Sequence, residues 1–380
     1  MTDLPPLRLT GAHVLRPDGL ARDAITLADG RITNGPAPER DLTGYIILPG
    51  IVDLHGDGFE RHLAPRRGAL ESLEAGLLGL DAELAANGIT TAILAQFFSW
   101  EGGMRGPDFA ERVAKAVSGF RGLTDLRMQL RLEVNMVEDY PRALALVEAF
   151  DIPFLVFNDH LPHDALASGK KPPGLIPQAL KAARSPEAHE AYLHRLHAGR
   201  DRVATALPPL AATLKARGVR LGSHDDTTAE DRARYRALGA DIAEFPETRA
   251  AAEAAHAAGE PVLMGAPNVV RGASHKKNQR ARDLIEDGLV TALVSDYHYP
   301  APHRAALKLI GDGIDWPTAW GLISGGPASV LGLDDRGRLS PGLRADLTIL
   351  NADTRIIEGT ITAGRISYLS GGLAARMVAS

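Results

Sequence analysis

The sequence predicts an α/β protein: a (β/α)8 TIM-like barrel with a small β-sandwich domain formed by the N- and C-terminal segments. Three observations support this prediction. Apolar runs of strand length alternate with helical patterns through the middle of the chain, both ends contain short strand-like runs, and several apolar runs end on a potential metal ligand. Alternating strands and helices are typical of this barrel, whose chemistry takes place at the carboxyl ends of the strands.

The two ends of the chain have the same sequence pattern, that of short β-strands separated by turns. Residues 7–48 contain short alternating runs punctuated by Gly and Pro, and the chain from Gly337 onward repeats the pattern. A stable sheet needs several strands, and neither end alone offers enough. We therefore expect two domains: a small β-sandwich from residues 1–49 and 337–380, and a barrel from residues 50–336.

Eight apolar runs between these ends qualify as barrel strands, and a helical pattern follows most of them. The expected strands are 50–55, 90–96, 126–134, 152–158, 219–223, 241–245, 261–265 and 291–295. The expected helices are 70–87, 108–119, 141–149, 187–216, 228–238, 248–258, 279–286 and 303–310. The segment 161–190 is expected to be a long loop, which either closes over a site or is a solvated surface.

The first barrel strand ends on His55 and Asp57, two potential metal ligands spaced i, i+2. Side chains on a strand alternate between its faces, so these two point the same way. Four later apolar runs close on residues of the same kind: Glu133, His160, His224 and Asp296. Imidazole nitrogen and carboxylate oxygen suit zinc, manganese or iron. The set predicts a divalent metal site, although a single buried histidine at a strand end is more often a hydrogen-bonded core residue.

The composition argues against several classes of protein. The net charge of −5 does not indicate a surface for nucleic acid, so any recognition of phosphate must be local. The chain has no cysteine, which removes disulfides and thiolate chemistry. No stretch approaches the ~20 apolar residues of a membrane span, and the N-terminus has no signal-peptide core. We expect an enzyme of the cytoplasm with no membrane partner.

Several motifs together resemble the amidohydrolase superfamily. They are Leu54-His-Gly-Asp-Gly-Phe-Glu-Arg-His62, Ser223-His-Asp-Asp-Thr227, Ala243-Glu-Phe-Pro246, Met264-Gly-Ala-Pro-Asn-Val-Val-Arg-Gly272, Ser295-Asp-Tyr297 and the closing Gly337-Arg-Leu-Ser-Pro-Gly-Leu-Arg-Ala-Asp-Leu-Thr-Ile-Leu350. Within the superfamily they are most similar to the branch that hydrolyses α-D-ribose 1-methylphosphonate 5-triphosphate in the carbon–phosphorus lyase pathway. The similarity spans essentially the whole chain. The segments after His160 and Asp296 depart from the usual pattern of that branch.

The resemblance implies two divalent ions per chain, either zinc, manganese or iron. It implies that His55 and Asp57 hold one ion, that His160 and His224 hold the other, and that Glu133 bridges them. Asp296 is implied to contact a metal, to accept a proton from the attacking water and to pass that proton to the leaving group. Asp225 and Asp226 are expected to orient His224 or to take part in binding.

The same resemblance implies a small phosphorylated substrate. Arg271 is the best candidate for a phosphate clamp, because a guanidinium forks onto phosphate oxygens. The other expected substrate-binding residues are Arg61, His62, Asn268, Gly272, Ser274 and His275.

The leading hypothesis is a metal-dependent diphosphatase that releases pyrophosphate from a ribose 5-triphosphate. One alternative is a deaminase or C–N hydrolase on a nucleobase-like or cyclic amide substrate, because one fold hosts many reactions. A non-catalytic metal-binding protein is a weaker alternative, since it leaves Asp296 without a purpose. Barrels of this type often dimerise, so a homodimer is also an expectation.

Overall fold

The computed structural model describes residues 4–65, 72–272 and 280–378. Seven short strands precede the barrel in the described chain. They are β1 (Leu7–Thr10), β2 (His13–Arg16), β3 (Gly19–Arg22), β4 (Ile25–Ala28), β5 (Arg31–Thr33), β6 (Glu39–Asp41) and β7 (Tyr45–Pro49).

Eight strands then form one sheet with the order of the chain. They are β8 (Ile51–Gly56), β9 (Ile89–Phe98), β10 (Asp125–Glu133), β11 (Phe154–Asn158), β12 (Arg220–His224), β13 (Ile242–Glu244), β14 (Val262–Gly265) and β15 (Ala292–Val294). An isolated parallel bridge from Gly56 to Asp296 joins the end of the first strand to the residues after the last. The sheet is therefore a nearly closed parallel barrel, as predicted, and all eight predicted strands are confirmed.

Three strands follow the barrel: β16 (Leu347–Asn351), β17 (Ile357–Thr362) and β18 (Arg365–Leu369). They continue a six-stranded sheet of order β18-β17-β16-β7-β2-β3, in which β7 and β16 are antiparallel neighbours. The remaining early strands form a second sheet of order β5-β4-β1-β6. Buried side chains of both sheets share one apolar core, to which Leu9 and Leu27 contribute from one sheet and Ile47 and Ile349 from the other. The two ends of the chain thus build this β-structure together, as predicted.

The α-helices of the described chain lie mainly between the barrel strands. They are α1 (Glu60–Leu63), α2 (Leu73–Ala86), α3 (Pro107–Gly119), α4 (Tyr140–Ala149), α5 (His163–Ala167), α6 (Leu175–Lys181), α7 (Pro186–Ala198), α8 (Val203–Ala216), α9 (Ala229–Ala237), α10 (Arg249–Ala257), α11 (Ala266–Arg271), α12 (Ala281–Glu286), α13 (Ala301–Gly311), α14 (Trp316–Gly321), α15 (Gly325–Val330) and α16 (Gly371–Val378). Within the described residues, no helix is both long and apolar enough to span a membrane.

Two expectations about helices were wrong. The single helix expected over 187–216 is two helices, α7 and α8, which Gly199 and a short 3-10 turn separate. Glycine is a poor helix former, and here it provides the cap at which α7 ends. The segment 161–190, expected to be a loop, contains α5 and α6, because Leu166, Leu175 and Ala179 are buried and hold these short helices in place.

The chain divides into two compact units that do not coincide with the expected domains. The first unit comprises the residues up to Leu94, then Phe120–Arg127 and the chain from Leu263 onward; the second comprises Ala95–Gly119 and Met128–Val262. The first unit therefore holds all of β8 and β15, and the second holds all of β11, β12 and β13. The domain boundaries at residues 49 and 337 stay a prediction.

Candidate metal centre and active site

The first unit brings three predicted metal ligands together. His55, Asp57 and Asp296 each offer a ligand atom, and these atoms lie within 4.8 Å of one another. His55 is fully buried. We call these three residues the first donor group. One imidazole and two carboxylates suit a divalent ion such as zinc or manganese.

Backbone contacts hold the first donor group in place. The amide of Asp296 donates to the carbonyl of His55 at 2.9 Å, and the amide of Asp57 donates to the carbonyl of Asp296, also at 2.9 Å. Asp296 has a positive φ of 56°, an uncommon conformation for a residue other than glycine. Strained backbone of this kind is concentrated at functional sites. Two peptide hydrogen bonds thus fix the two ligand-bearing loops against each other.

The buried carboxylate of Asp53 links the strand that carries His55 to the residue before Asp296. Asp53 accepts hydrogen bonds from the Ser295 amide at 2.8 Å and from the Ser295 hydroxyl at 2.5 Å. Burial raises the pKa of Asp53 above its usual range, although the bonds from Ser295 oppose that rise. Asp53 lies two residues before His55 on β8, so its hydrogen bonds position the strand that carries the first ligand.

The second unit assembles a second donor group: His160, His224 and Asp225, whose ligand atoms also lie within 4.8 Å of one another. The Nε2 atoms of the two histidines face the carboxylate of Asp225, at 3.8 Å for His160 and 3.6 Å for His224. Asp225 has a positive φ of 60°, directly after the end of β12. Two predicted ligands are therefore adjacent, and Asp225 joins them as a third donor.

Charges in the second donor group shift one another's pKa. Burial opposes protonation of His160, but the carboxylates of Asp225 and Glu133 outweigh it and raise the pKa of His160 to about 9. Burial likewise opposes ionisation of Asp225, and the two neighbouring histidines lower its pKa to about 2. Clusters of mutually shifted groups are typical of functional sites.

Glu133, the predicted bridging ligand, contacts His160 through its carboxylate. Its fully buried carboxylate accepts hydrogen bonds from Trp100 Nε1 at 3.2 Å and from the His160 amide at 3.1 Å. The same carboxylate is 2.6 Å from His160 Nδ1. The role of Glu133 as a bridging ligand stays a prediction.

Sequence reasoning missed two residues of this site, Glu244 and Arg131. Glu244 is fully buried at the end of β13, and its carboxylate is 2.8 Å from His224 Nδ1. Arg131 lies two residues before Glu133 on β10, with its guanidinium 2.9 Å from His224 Nε2 and stacked over the Phe97 ring. Glu244 closes an apolar strand as the predicted ligands do, so the same signal identifies it. The i, i+2 spacing to Glu133 is the signal for Arg131.

The expected substrate-binding residues have defined neighbours in the first unit. Arg61 and His62 both contact the carboxylate of Glu83, and the Arg61 guanidinium lies over the Tyr299 ring. The Arg271 guanidinium lies 5.3 Å from the centre of the Tyr297 ring, which follows Asp296 directly.

The other expected substrate-binding residues come after β14 in the chain. Asn268 accepts a hydrogen bond from the Ala281 amide at 3.1 Å, and Gly272 ends α11 in the left-handed conformation. Ser274 and His275 lie outside the described residues. The substrate roles of all these residues stay predictions.

Comparison with known proteins gives the family of this chain. The chain belongs to the amidohydrolase family, whose model matches residues 172–368, and it is a metal-dependent hydrolase, as the resemblance implied. It is 32% identical over 320 residues to the alpha-D-ribose 1-methylphosphonate 5-triphosphate diphosphatase of Escherichia coli (strain K12), with 81% of this chain and 84% of that protein covered.

Solved structures show the same fold at low sequence identity. The N-acetylglucosamine-6-phosphate deacetylase of Pasteurella multocida is 12% identical with a TM-score of 0.62, and the similarity covers 95% of this chain and 99% of that one. A zinc-bound adenosine deaminase from Xanthomonas campestris is 14% identical with a TM-score of 0.54, covering 98% of this chain and 96% of that one. Their different reactions mean that the site, and not the fold, must specify the substrate.

Proposed function

We propose that this enzyme hydrolyses a phosphoanhydride of α-D-ribose 1-methylphosphonate 5-triphosphate, or of a close analogue, and releases pyrophosphate. The similarity to the Escherichia coli diphosphatase over most of both chains supports this substrate class. The observation that supports the chemistry is the first donor group, which places the carboxylate of Asp296 beside His55 and Asp57. We also propose that the enzyme acts in the breakdown of phosphonates and that it does so in the cytoplasm.

The residues present fit divalent metal ions. Within the described residues, each unit contributes a group of three nitrogen and oxygen donors, the number of protein ligands that catalytic sites commonly use. In this proposal the first donor group holds one ion, and His160 and His224 hold another. When bound, such ions supply Lewis acidity and lower the pKa of water toward ~7.

Asp296 performs the proton transfer. Its carboxylate accepts a proton from the water that attacks the phosphoryl group, and it then donates that proton to the departing pyrophosphate oxygen. The positive φ of Asp296 and its peptide hydrogen bond to His55 hold the carboxylate in a fixed direction. A preorganised acid–base group of this kind needs no rearrangement during the reaction.

Substrate phosphates require cations near the first donor group. Arg271 is the first candidate, because its guanidinium lies 5.3 Å from the centre of the ring of Tyr297, the residue after Asp296. Arg61 lies four residues after Asp57 and supplies a second guanidinium. Both lie in the first unit, so the acidic net charge of the chain does not exclude a local anion site.

The decisive experiment compares reaction products over a panel of substrates. The metal-loaded enzyme is incubated with ribose 5-triphosphates, nucleoside triphosphates, nucleobases and cyclic amides, and both pyrophosphate and ammonia are measured. We expect pyrophosphate release from the ribose 5-triphosphates and no ammonia from the amides. Ammonia release without pyrophosphate would replace this proposal with the deaminase or C–N hydrolase alternative.

A further inference from the structure

The first unit contains a polar cavity that the proposed function does not use. Its volume is about 310 Å³, and we call it the arginine cavity. Its charged lining residues are Arg31, Arg344 and Arg365 together with Asp29 and Asp335. Arginine therefore outnumbers aspartate in this cavity, although the whole chain has a net charge of −5.

The arginine cavity lies at the end of β8 opposite to the first donor group. Arg344 donates to Asp346 at 3.0 Å, and the carbonyl of Asp346 accepts from the amide of Gly50, the residue before β8. Arg344 also lies 3.4 Å from Asp125, the first residue of β10. His55 is at the other end of β8. A ligand in the arginine cavity would therefore not occupy the candidate active site.

Two tight hairpin turns form part of the cavity wall. Asp29 and Gly30 have φ angles of 50° and 73°, and Ala363 and Gly364 have φ angles of 48° and 72°. Two consecutive positive φ angles are typical of the two-residue turns that join β-hairpins. The amide of Ala345 donates to the carbonyl of Gly30 at 2.9 Å, and its carbonyl accepts from the amide of Gly364 at 3.0 Å. Backbone hydrogen bonds thus fix both turns, and this part of the wall is preformed.

Two arginines of the cavity lie directly opposite each other. Arg31 and Arg344 are partners in an isolated antiparallel bridge. Side chains of such partners start ~4.5–5.5 Å apart at Cβ, and like charges in these positions are destabilising. Arg31 Nη1 donates to the carbonyl of Gly342 at 2.8 Å, and within the described residues no carboxylate forms an ion pair with Arg31. An anion beside Arg31 would offset the repulsion between the two guanidinium groups.

The carboxylate of Asp335 does not supply that negative charge, because Arg336 already engages both of its oxygens. Arg336 Nε donates to Asp335 Oδ1 at 2.8 Å, and Arg336 Nη2 donates to Oδ2 at 3.2 Å. Arg336 is buried and is not one of the lining residues. Asp29 is exposed at its hairpin turn. The lining therefore keeps an excess of positive charge that faces solvent.

We propose that the arginine cavity binds a phosphate group, with the guanidinium groups of Arg31 and Arg365 as its main ligands. A guanidinium presents paired donors that fit two oxygens of a phosphate. The volume of the cavity exceeds that of one phosphate group, so free phosphate and a small phosphate ester both fit. The inference is independent of the proposed function, because the cavity shares no residue with either donor group.

The test measures phosphate binding to the metal-loaded enzyme by isothermal titration calorimetry. Inorganic phosphate and ribose 5-phosphate are the two probes, and chloride keeps the ionic strength constant. The proteins are the wild type, Arg31→Gln and Arg365→Gln. We expect each substitution to weaken one phosphate-binding event by about tenfold or more, the effect of losing a charge-assisted contact.

Thermal melting without phosphate provides a second readout on the same proteins. Arg31→Gln should melt at or above the temperature of the wild type, because the substitution removes one of two opposed like charges. Addition of phosphate should raise the melting temperature of the wild type more than that of Arg31→Gln, since a ligand of the folded state stabilises it. A change of rank between the two proteins would separate loss of binding from loss of folding.

The matched control is Arg22→Gln, which makes the same change of charge at an exposed position at the end of β3, outside the cavity lining. We expect it to bind phosphate as the wild type does. Pyrophosphate release by Arg31→Gln should also equal that of the wild type, because Arg31 lies outside the candidate active site.

Three outcomes would overturn the site. They are absence of phosphate binding in the wild type, wild-type binding in both Arg31→Gln and Arg365→Gln, and equal weakening in Arg22→Gln, which would make net charge the cause. Tighter binding of ribose 5-phosphate that depends on Arg31 would identify a phosphate ester as the ligand, and equal affinity for both probes would identify free phosphate. Phosphate binding as proposed in an enzyme that releases no pyrophosphate would contradict only the proposed function.

Discussion

Asp296 shows how much a single residue contributes to this site. Its side chain belongs to the first donor group, its amide bonds to His55, and its carbonyl accepts from Asp57. Backbone and side chain therefore have separate roles. A substitution that keeps the size of the side chain changes the chemistry while leaving the peptide hydrogen bonds in place.

Asp296→Asn should accordingly lower kcat by ~10²-fold or more, the usual scale for loss of a general acid–base group. We expect the melting temperature and the metal content to stay close to those of the wild type. The measurement is steady-state pyrophosphate release with metal analysis of the same preparation. Unchanged activity would place the proton carrier elsewhere, with His298 and His303 the first residues to test.

Arg271 makes a separate prediction about substrate binding. A charge-assisted contact to phosphate contributes roughly 1.5–3 kcal/mol, or about ten- to a hundredfold in affinity. Arg271→Ala should raise KM for triphosphorylated substrates by about that factor, and Arg271→Lys should restore only part of it, because an ammonium cannot fork onto two oxygens.

The control for Arg271 is a neutral substrate, on which the same variants should have almost no effect. Intact triphosphate hydrolysis in Arg271→Ala would show that another cation binds the phosphates. Arg61 would then be the next residue to substitute, with the Glu83 contact taken into account.

At the scale of secondary structure, the ends of β8 and β15 depend on a close approach at Gly56. A Cβ atom added at Gly56 would lie 2.6 Å from the Tyr299 ring and 2.9 Å from both Asp53 and Ser295. Tyr299 is fully buried, so its ring has little freedom to move away. Glycine at this position is therefore a packing requirement of the strand that carries His55.

Gly56→Ala should destabilise the protein by about 1–3 kcal/mol, the usual cost of overpacking a tight core. Since the clash lies between His55 and Asp57, the affinity of the first donor group for metal should fall as well. Denaturant unfolding and metal titration measure the two effects. Gly311→Ala is the control, because a Cβ there meets no atom within 4 Å; equal destabilisation of both variants would contradict the packing argument.

The sequence predicted the strands better than the helices, for a physical reason. Most barrel strands are short, mainly apolar runs that are buried on both faces, as in the entirely buried β9, and such runs are visible without any tertiary context. Helices α5 and α6 are too short to show a helical period, so burial of Leu166 and Leu175 was needed to reveal them.

The sequence predicted part of the candidate site, and the structure was needed for the rest. The expectation that apolar strands end on metal ligands selected His55, Asp57, His160, His224 and Asp296, and the structure places these five residues in two donor groups; their binding of metal stays a prediction. Asp225 was expected to orient His224 or to take part in binding, but its closeness to both His160 and His224 appears only in the structure. Arg131 has the i, i+2 spacing to Glu133, but its contact with His224 also appears only in the structure. Both depend on the three-dimensional arrangement, which spacing along the chain does not encode.

For the whole molecule, the two donor groups predict the metal content. Protein prepared without chelator should contain at least one and up to two transition-metal ions per chain, as determined by elemental analysis. Removal of the ions should abolish hydrolysis, and their return should restore it, because no other group in the proposed mechanism supplies Lewis acidity. A metal-free preparation that stays active in chelator would contradict the assignment of the enzyme's chemistry.

The pairing of the chain ends has a consequence for biosynthesis. Arg16 donates to the carbonyl of Leu339, which lies 323 residues further along, and β7 finds its antiparallel neighbour only in β16. At a synthesis rate of about 5–20 residues per second, the early strands wait roughly 15–65 s on the ribosome for their partners. During that interval the edge of β7 is an unpaired template for other chains. The nascent protein is therefore most prone to aggregation before its last strands emerge, and chaperones that cover exposed strands should matter most at that stage.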